Sequence, residues 1–376
     1  MSSPAAIDIV IVNYHCAEDT LGAVAGLVPW PHGTIWVVDN SEDAAEARLL
    51  TTGTNGHAEV RLLAQPRNIG FGGGCNAAYD LSTAEYLFLL NPDARIAAAD
   101  ILRMAATMQA DRRWGALAPR VFWDPARRFL LPSALPMDPW SLLGVALIYR
   151  IGAVAALAAR YYLAQQRRQM AGARVFSTRF LVGAAMLVRR EAAVRAGGLF
   201  DPDYFMFYED SDLSLRLRRA GFRLGIEPRS AAVHEYRHKT SKIALMVASA
   251  QVYYAKRFPR FYQASARLSR VETLAGKGLG IGSGARDLGS IDNPGALQES
   301  LEGRGILALS PAAALMPALF RPLGETPVAL DGNDWERLEA GRYWLCYGSV
   351  SPDGQGVPRL PEAGRWVTFV KPGVAR

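Results

Sequence analysis

Two continuous β-branched runs near the start of the chain, IDIVIV at residues 7–12 and IWVV at residues 35–38, constrain the fold more than any other feature. Runs without polar alternation belong to strands covered on both faces, which is the situation inside a parallel sheet. A helical stretch between residues 18 and 27 separates them, so the chain opens β-α-β. Further strands are expected at residues 60–64 and 86–90. The alternation continues with a helix over 98–109, a strand over 116–122, a strand over 179–189 and a helix over 190–196. Extended pieces at 222–227 and 231–234 and a helix over 241–258 complete the series. The implied class is α/β with a mostly parallel central sheet. In such a sheet ligands lie beyond the carboxyl ends of the strands. Asn13, Asp39, the 68–74 segment and Asp93 therefore share one rim.

The segment GFGGG at residues 70–74 follows the third strand and is expected as a loop leading into a helix over 73–81. It is not a dinucleotide fingerprint, which needs a third glycine and a place after the first strand, where Asn13-Tyr14-His15 stands instead. It is not a phosphate loop of the G-x-x-x-x-G-K-[ST] kind either. Glycines here can still let the backbone approach an anion ahead of a helix start. The alternative is a tight structural turn.

Chemistry concentrates in FMFYEDSDLSLRLRRAG, residues 205–221, where Glu209, Asp210 and Asp212 open an apolar-periodic helix whose last turn carries Arg216, Arg218 and Arg219. One cap needs one carboxylate, whereas three are crowded beside Phe205, Phe207 and Tyr208, where desolvation raises a proton affinity. The alternative reading is capping, with Asp212 paired to Arg216 four residues on. Asp93, held by Pro92 at a strand end, suits a hard divalent cation on a diphosphate, or else an Asx-type turn cap. His234 ends another strand and is a candidate ligand for a borderline metal such as Mn2+.

With 376 residues, half of them apolar, the chain can bury a substantial core. Cys16, Cys75 and Cys346 are far apart and odd in number, which speaks against a zinc or disulfide framework and for a reducing compartment. The net charge of +7 favours anionic partners in general, yet no basic-aromatic nucleic-acid module is present. The N-terminus has no cationic leader, so a cytoplasmic location is expected. Residues 141–163 are almost wholly apolar but contain Arg150 and Arg160. A span needs roughly 20 apolar residues and a mid-bilayer arginine costs at least ~2.5 kcal/mol, so an interfacial helix on an anionic membrane is expected, with a buried hairpin as the alternative. Beyond residue 275 the composition turns to glycine, proline and short apolar stretches, the pattern of a small β-rich unit.

Taken together, IVNY (11–14), VVDNS (37–41), RNIGFGGGCN (67–76), LLNPDA (89–94), FLVGAAMLVRR (180–190) and the acidic segment resemble glycosyltransferase family 2, in particular its bacterial rhamnosyltransferase-like branch. The resemblance covers residues 7–258. It implies a GT-A fold over residues 1–274, carrying an apolar insert at 133–176, with residues 275–376 as an appendage. It further implies an inverting transfer from a nucleotide-diphosphate sugar, dTDP-rhamnose first and UDP-hexoses behind it, to a glycan or lipid-linked acceptor. By this carry-over Asp39 contacts the nucleoside base. Asn13, Asn40, Asn68, Gly70, Gly72, Asn76, Asn91 and Asp212 make up the rest of the substrate-binding set. Asp93 resembles the last acid of the family's D-x-D motif and, with His234, would hold Mg2+ or Mn2+. Asp210 resembles the general base, and Glu209 beside it is the other member of the catalytic pair. Asn91 stands where that motif has its first aspartate, which lowers the charge of the metal site. The rival readings are a non-catalytic sugar-nucleotide or glycan-binding module and a nucleotidyltransferase.

Overall fold

Strand β1 (Ile7–Asn13) is buried at every position and pairs in parallel with β2 (Ile35–Asp39) and β4 (Tyr86–Leu90), while β2 pairs in parallel with β3 (Val60–Ala64). These relations come from a computed structural model that describes residues 6–131, 137–140, 172–234, 243–267, 285–302, 305–310, 319–320, 329–348 and 366–373. Successive side chains of a strand point to opposite faces, and both faces here are apolar. Ile9, Ile11, Val37 and Phe88 pack on one side with helices α1 (Ala17–Ala25) and α4 (Ala98–Ala110). Val10, Val12, Val38 and Leu89 pack on the other with α3 (Gly70–Leu81) and α6 (Glu209–Arg219). Each such side chain contributes about 1.5–3 kcal/mol on burial. Helix α2 (Ala44–Thr54), which sequence periodicity does not reveal, begins where Asp43 accepts from the Ala45 amide at 2.7 Å.

The sheet continues through β8 (Ala185–Arg189), β6 (Trp114–Phe122), β9 (Arg223–His234) and β5 (Ala94–Ile96), with β7 (Phe176–Thr178) also on β9 and helix α5 (Arg190–Arg195) following β8. Two expectations are corrected. The strand expected over 179–189 is strand only from Ala185, because the backbone before it turns to helix α6, with the Leu181 amide on Ser214 and the Gly183 amide on Asp210. The pieces at 222–227 and 231–234 are one strand, β9, with a register shift opposite Pro119 and Arg120. The mostly parallel sheet expected from the sequence is present: six of its nine strands share one direction, while β8, β5 and β7 run against their neighbours. This mostly parallel mixed sheet is the GT-A arrangement that the resemblance implies.

The glycine segment is helical from Gly70 rather than from residue 73. Glycine is a poor helix former, but close approach outweighs propensity here. A Cβ on Gly70, whose φ is +76°, would stand 2.0 Å from the Phe205 carbonyl oxygen, and one on Gly74 would stand 2.8 Å from Val12. The glycines therefore seat α3 tightly between β1 and the segment preceding the acidic helix.

A second sheet has the order β10 (Arg286–Ser290), β14 (Trp366–Lys371), β13 (Gly341–Gly348), β11 (Gly305–Ser310), β12 (Leu319–Phe320). Helices α9 (Pro294–Ser300) and α10 (Gly332–Arg337) accompany it. Its core includes Trp123 and Phe129 from the segment after β6. Arg128 bonds Asp124 at 2.8 Å, Asp331 at 2.8 Å and Asp334 at 2.7 Å across the junction. Helices α7 (Ile243–Arg257) and α8 (Pro259–Arg267) lie between the two sheets in sequence. The apolar stretch at 141–163 lies outside the described residues. No helix among the described residues is long and apolar enough to cross a membrane.

Candidate active site

The carboxyl ends of β1 and β2 bring Asn13 and Asp39 into register as neighbours. Asn13 donates to Asp39 Oδ1 at 3.0 Å and to Glu46 at 3.0 Å, and its own Oδ1 accepts from Thr20 at 2.9 Å. Asn13 is fully buried, and its amide holds the Asp39 carboxylate in place. Asp39 also accepts from the Ser41 amide at 3.0 Å. Asn40 donates to the Gly70 carbonyl at 2.9 Å, and its buried Oδ1 has no hydrogen-bond partner among the described residues. A buried acceptor left open is costly, so it is the kind of atom a bound ligand or water satisfies. Asn68 stands just before α3, its side chain accepting from the Gly70 amide at 2.9 Å, while its own amide donates to Glu42 at 2.7 Å.

Asn76 departs from its expected role. Its amide group is spent on the backbone of Phe200, donating at 2.8 Å and accepting at 3.0 Å, so it braces α3 against the 200–205 segment. Gly72 is likewise buried in that packing, its Cβ position 3.5 Å from the Tyr204 carbonyl.

At the centre of the rim, β4 ends and the chain turns through Asn91-Pro92-Asp93 into β5, which pairs with β9 so that Ala94 faces His234. Asp93 Oδ1 and His234 Nε2 are 3.0 Å apart, and the Asn91 side chain stands 3.4 Å from the same imidazole nitrogen. A carboxylate oxygen and an imidazole nitrogen at this separation are a donor pair that suits Mn2+ or Mg2+. No cluster of three metal-ligating side chains occurs among the described residues. Arg95 donates to the Pro92 carbonyl at 2.6 Å and stiffens the turn.

The acidic helix α6 meets the loop that enters β8. Asp210, partly buried, accepts from the Gly183 amide at 3.2 Å through Oδ2 and from the Ser211 amide at 2.7 Å through Oδ1. Gly183 precedes Ala184, whose carbonyl accepts from the Asn91 amide at 2.9 Å. Two backbone bonds thus link Asp210 to the Asn91-Pro92-Asp93 turn. Burial pushes the Asp210 carboxyl above its ordinary range, against the lowering effect of the Gly183 and Ser211 amides. Glu209 is buried against α3, with Oε2 lacking a partner among the described residues. Burial first, and the Asp210 charge second, raise its proton affinity.

Asp212, placed by the resemblance in the substrate-binding set, sits in a buried ion-pair network. It is fully buried, with Arg216 on Oδ2 at 2.5 Å and Arg257 on Oδ1, the pairing that helix spacing alone offered as the alternative. Sequence reasoning missed Glu46, Gly183 and Arg257. Glu46 and Arg257 act across long separations that leave no local trace. Gly183 could have been flagged as a glycine just before a strand at the rim. Backbone strain marks the same region: His15 (φ 52°), Glu42 (φ 57°), Phe207 (φ 70°) and Tyr208 (φ 66°) follow strand ends or precede α6.

A family model described as "Glycosyltransferase like family 2" matches residues 4–253, more than half of the 376-residue chain. The chain is similar to the N-acetylglucosaminyl-diphospho-decaprenol L-rhamnosyltransferase of Mycobacterium tuberculosis, 28% identical over 256 residues, 58% of this chain and 74% of the relative. It is 50% identical over 56 residues to rhamnosyltransferase WbbL of Escherichia coli (strain K12), a match covering 15% of this chain and 21% of the relative. Among solved structures, GalNAc-T7 with UDP, GalNAc and Mn2+ superposes with a TM-score of 0.47 at 13% identity, covering 74% of this chain and 55% of that one, about half its length.

Proposed function

On the premise that this chain belongs to glycosyltransferase family 2 and is a glycosyltransferase, we propose that it is an inverting, metal-dependent rhamnosyltransferase. Its donor is dTDP-rhamnose and its acceptor a hydroxyl of a polyprenyl-diphosphate-linked glycan; the name of the mycobacterial relative supports the rhamnosyl group and the lipid-linked acceptor. The observation that carries the reading is the short backbone path from Asp210 through Gly183 and Ala184 to Asn91, two residues before Asp93.

Inversion needs a base on one side of the sugar and charge stabilisation for the leaving diphosphate on the other. Asp210 takes the proton of the acceptor hydroxyl as that oxygen bonds to the anomeric carbon and the bond from that carbon to the diphosphate oxygen breaks. A divalent ion held by Asp93 and His234 would supply Lewis-acid stabilisation of the departing diphosphate. Asp39, oriented by Asn13, and Asn40 bind the nucleoside end. The Gly183 and Ser211 amides keep Asp210 aimed and bias it towards the ionised form that a base requires. Peripheral contact with an anionic membrane fits a lipid-linked acceptor and the +7 charge.

The test is a nucleotide-release assay with dTDP-rhamnose, UDP-glucose and GDP-mannose, with Mn2+ and a short polyprenyl-diphospho-N-acetylglucosamine. Rhamnose transfer with inverted anomeric configuration is the expected result. Transfer of another sugar would overturn the donor assignment, and binding without turnover of any donor would overturn the enzymatic one.

A further inference from the structure

We infer that Arg257, on helix α7, is a positioning residue for Asp210, an inference that rests on Asp210 being the base. The two are linked through Asp212, which shares the first turn of α6 with Asp210 and has both oxygens bonded, one to Arg216 and one to Arg257. Arg216 spends its other nitrogens on the carbonyls of Ala196, Gly198 and Leu199 at 2.9, 2.8 and 2.6 Å, within the catalytic unit's own core. Arg257 instead reaches in from a helix beyond the sheet and also holds Asp201 at 2.8 Å.

The rest of α7 grips the segment that leads into α6. Lys256 bonds Asp201 at 2.7 Å and Asp203 at 2.6 Å, and Ser249 donates to the Met206 carbonyl at 2.7 Å. The rings of Tyr253 and Tyr254 lie 5.3 and 6.2 Å from that of Tyr208. This segment needs holding. Phe207 and Tyr208 are consecutive non-glycine residues with φ of 70° and 66°, and Tyr208 is the N-cap of α6 without a side-chain cap bond. Such residues are strained and persist where surrounding contacts over-determine them. A buried ion pair adds little net stability, but it fixes register. Here the register it fixes is that of the helix turn whose Asp210 bonds Gly183 at 3.2 Å.

The experiment compares full-length Arg257→Ala, Arg257→Lys and Arg128→Ala with the parent, using whichever of dTDP-rhamnose, UDP-glucose and GDP-mannose supports the fastest transfer. Arg128 lies at the junction with the second sheet and serves as the destabilised reference. Arg257→Ala is expected to lower kcat about 10- to 100-fold, the effect of a misplacement of about 1 Å, with the donor KM within about twofold. Arg257→Lys should recover part of that loss, and Arg128→Ala should keep the parent kcat at a temperature where it remains folded. Unchanged kcat in Arg257→Ala, or a kcat loss that Arg128→Ala reproduces, would overturn the inference. If Arg257→Ala does not fold, the kcat and KM of Arg257→Lys decide by the same criterion. Asp210→Asn separates the two claims: turnover surviving in that variant removes the base assignment itself, whereas an inactive Asp210→Asn beside a fully active Arg257→Ala removes only the positioning role.

Discussion

Gly183 donates its backbone N–H to Asp210 Oδ2 at 3.2 Å, so the loop entering the antiparallel strand β8 aims the acidic helix at the sheet's carboxyl rim. A side chain at residue 183 would stand 3.5 Å from the Phe71 ring and 3.7 Å from Asp210 Cβ, ordinary contact distances that would narrow the space beside the carboxylate. This amide is one of the few groups that oppose the desolvation of Asp210.

Asp210→Asn keeps the shape of the side chain and removes its basicity. Turnover is expected to fall by roughly 10² to 10⁴, the usual worth of a positioned base, with donor affinity nearly unchanged. Steady-state transfer kinetics beside donor calorimetry checks this, and near-parent turnover would remove Asp210 from the role.

Asp93→Ala deletes one member of the donor pair opposite His234. Donor affinity in Mn2+ should drop about 10- to 100-fold, the range seen when support of a metal site is lost, while affinity without metal is little changed. Calorimetry with and without Mn2+ measures both arms, and equal affinities to the parent in both would refute the assignment.

Activity and stability should respond to pH in opposite directions. As the proposed base, Asp210 would act in its ionised form, and burial lifts its proton affinity, so turnover should fall with acidification at a pH above the ordinary carboxylate value of about 4. The stability sign is the reverse. Because burial raises Glu209 and Asp210 relative to the unfolded chain, their stabilising contribution is complete below the ordinary carboxylate range and is lost as pH rises through the folded values. Glu209→Gln, a neutral isostere, should flatten the loss of melting temperature with pH and keep turnover within a few-fold. Melting curves and pH–rate profiles test the pair, and an unaltered stability slope in Glu209→Gln would exclude the buried-proton account.

Gly70→Ala places a Cβ 2.0 Å from the Phe205 carbonyl at a φ of +76°. Destabilisation of about 1–3 kcal/mol is expected, read as a lowered denaturant midpoint at unchanged slope. A parent-like midpoint would mean that α3 does not rest on this contact.

Arg128→Ala removes a guanidinium shared by Asp124 and Asp334, both fully buried, and leaves Asp124 with backbone donors alone. An uncompensated buried charge costs about 3–5 kcal/mol, so the second sheet should become protease-sensitive before the nine-stranded one. Limited proteolysis followed by mass spectrometry identifies which unit is cut first.

Much of the architecture was legible locally. The runs at 7–12 and 35–38, and the segments at 60–64 and 86–90, appear as β1 to β4, because a strand buried on both faces must be apolar throughout. The carboxylates at 209, 210 and 212 announced a helix start for the same local reason. The conversion of GFGGG from loop to helix was not legible, since Gly70 and Gly74 are required by Phe205 and Val12, residues remote in sequence. The reversed direction of β8 was not legible either, because direction depends on which strands become neighbours.

Alternation of apolar runs with helical stretches, and the polar residues that end those runs, determined by themselves the class of the fold and the rim where its chemistry gathers. Both follow from short-range rules of burial and backbone geometry. Only tertiary structure decided the division of labour among the acids. Asp210, Glu209 and Asp212 are neighbours in one helical turn, yet the first meets the Gly183 amide, the second is buried with an open oxygen and the third is enclosed by Arg216 and Arg257. Identical carboxyl groups acquire different roles through the dielectric and the partners around them, and those come from segments up to 45 residues away in the chain.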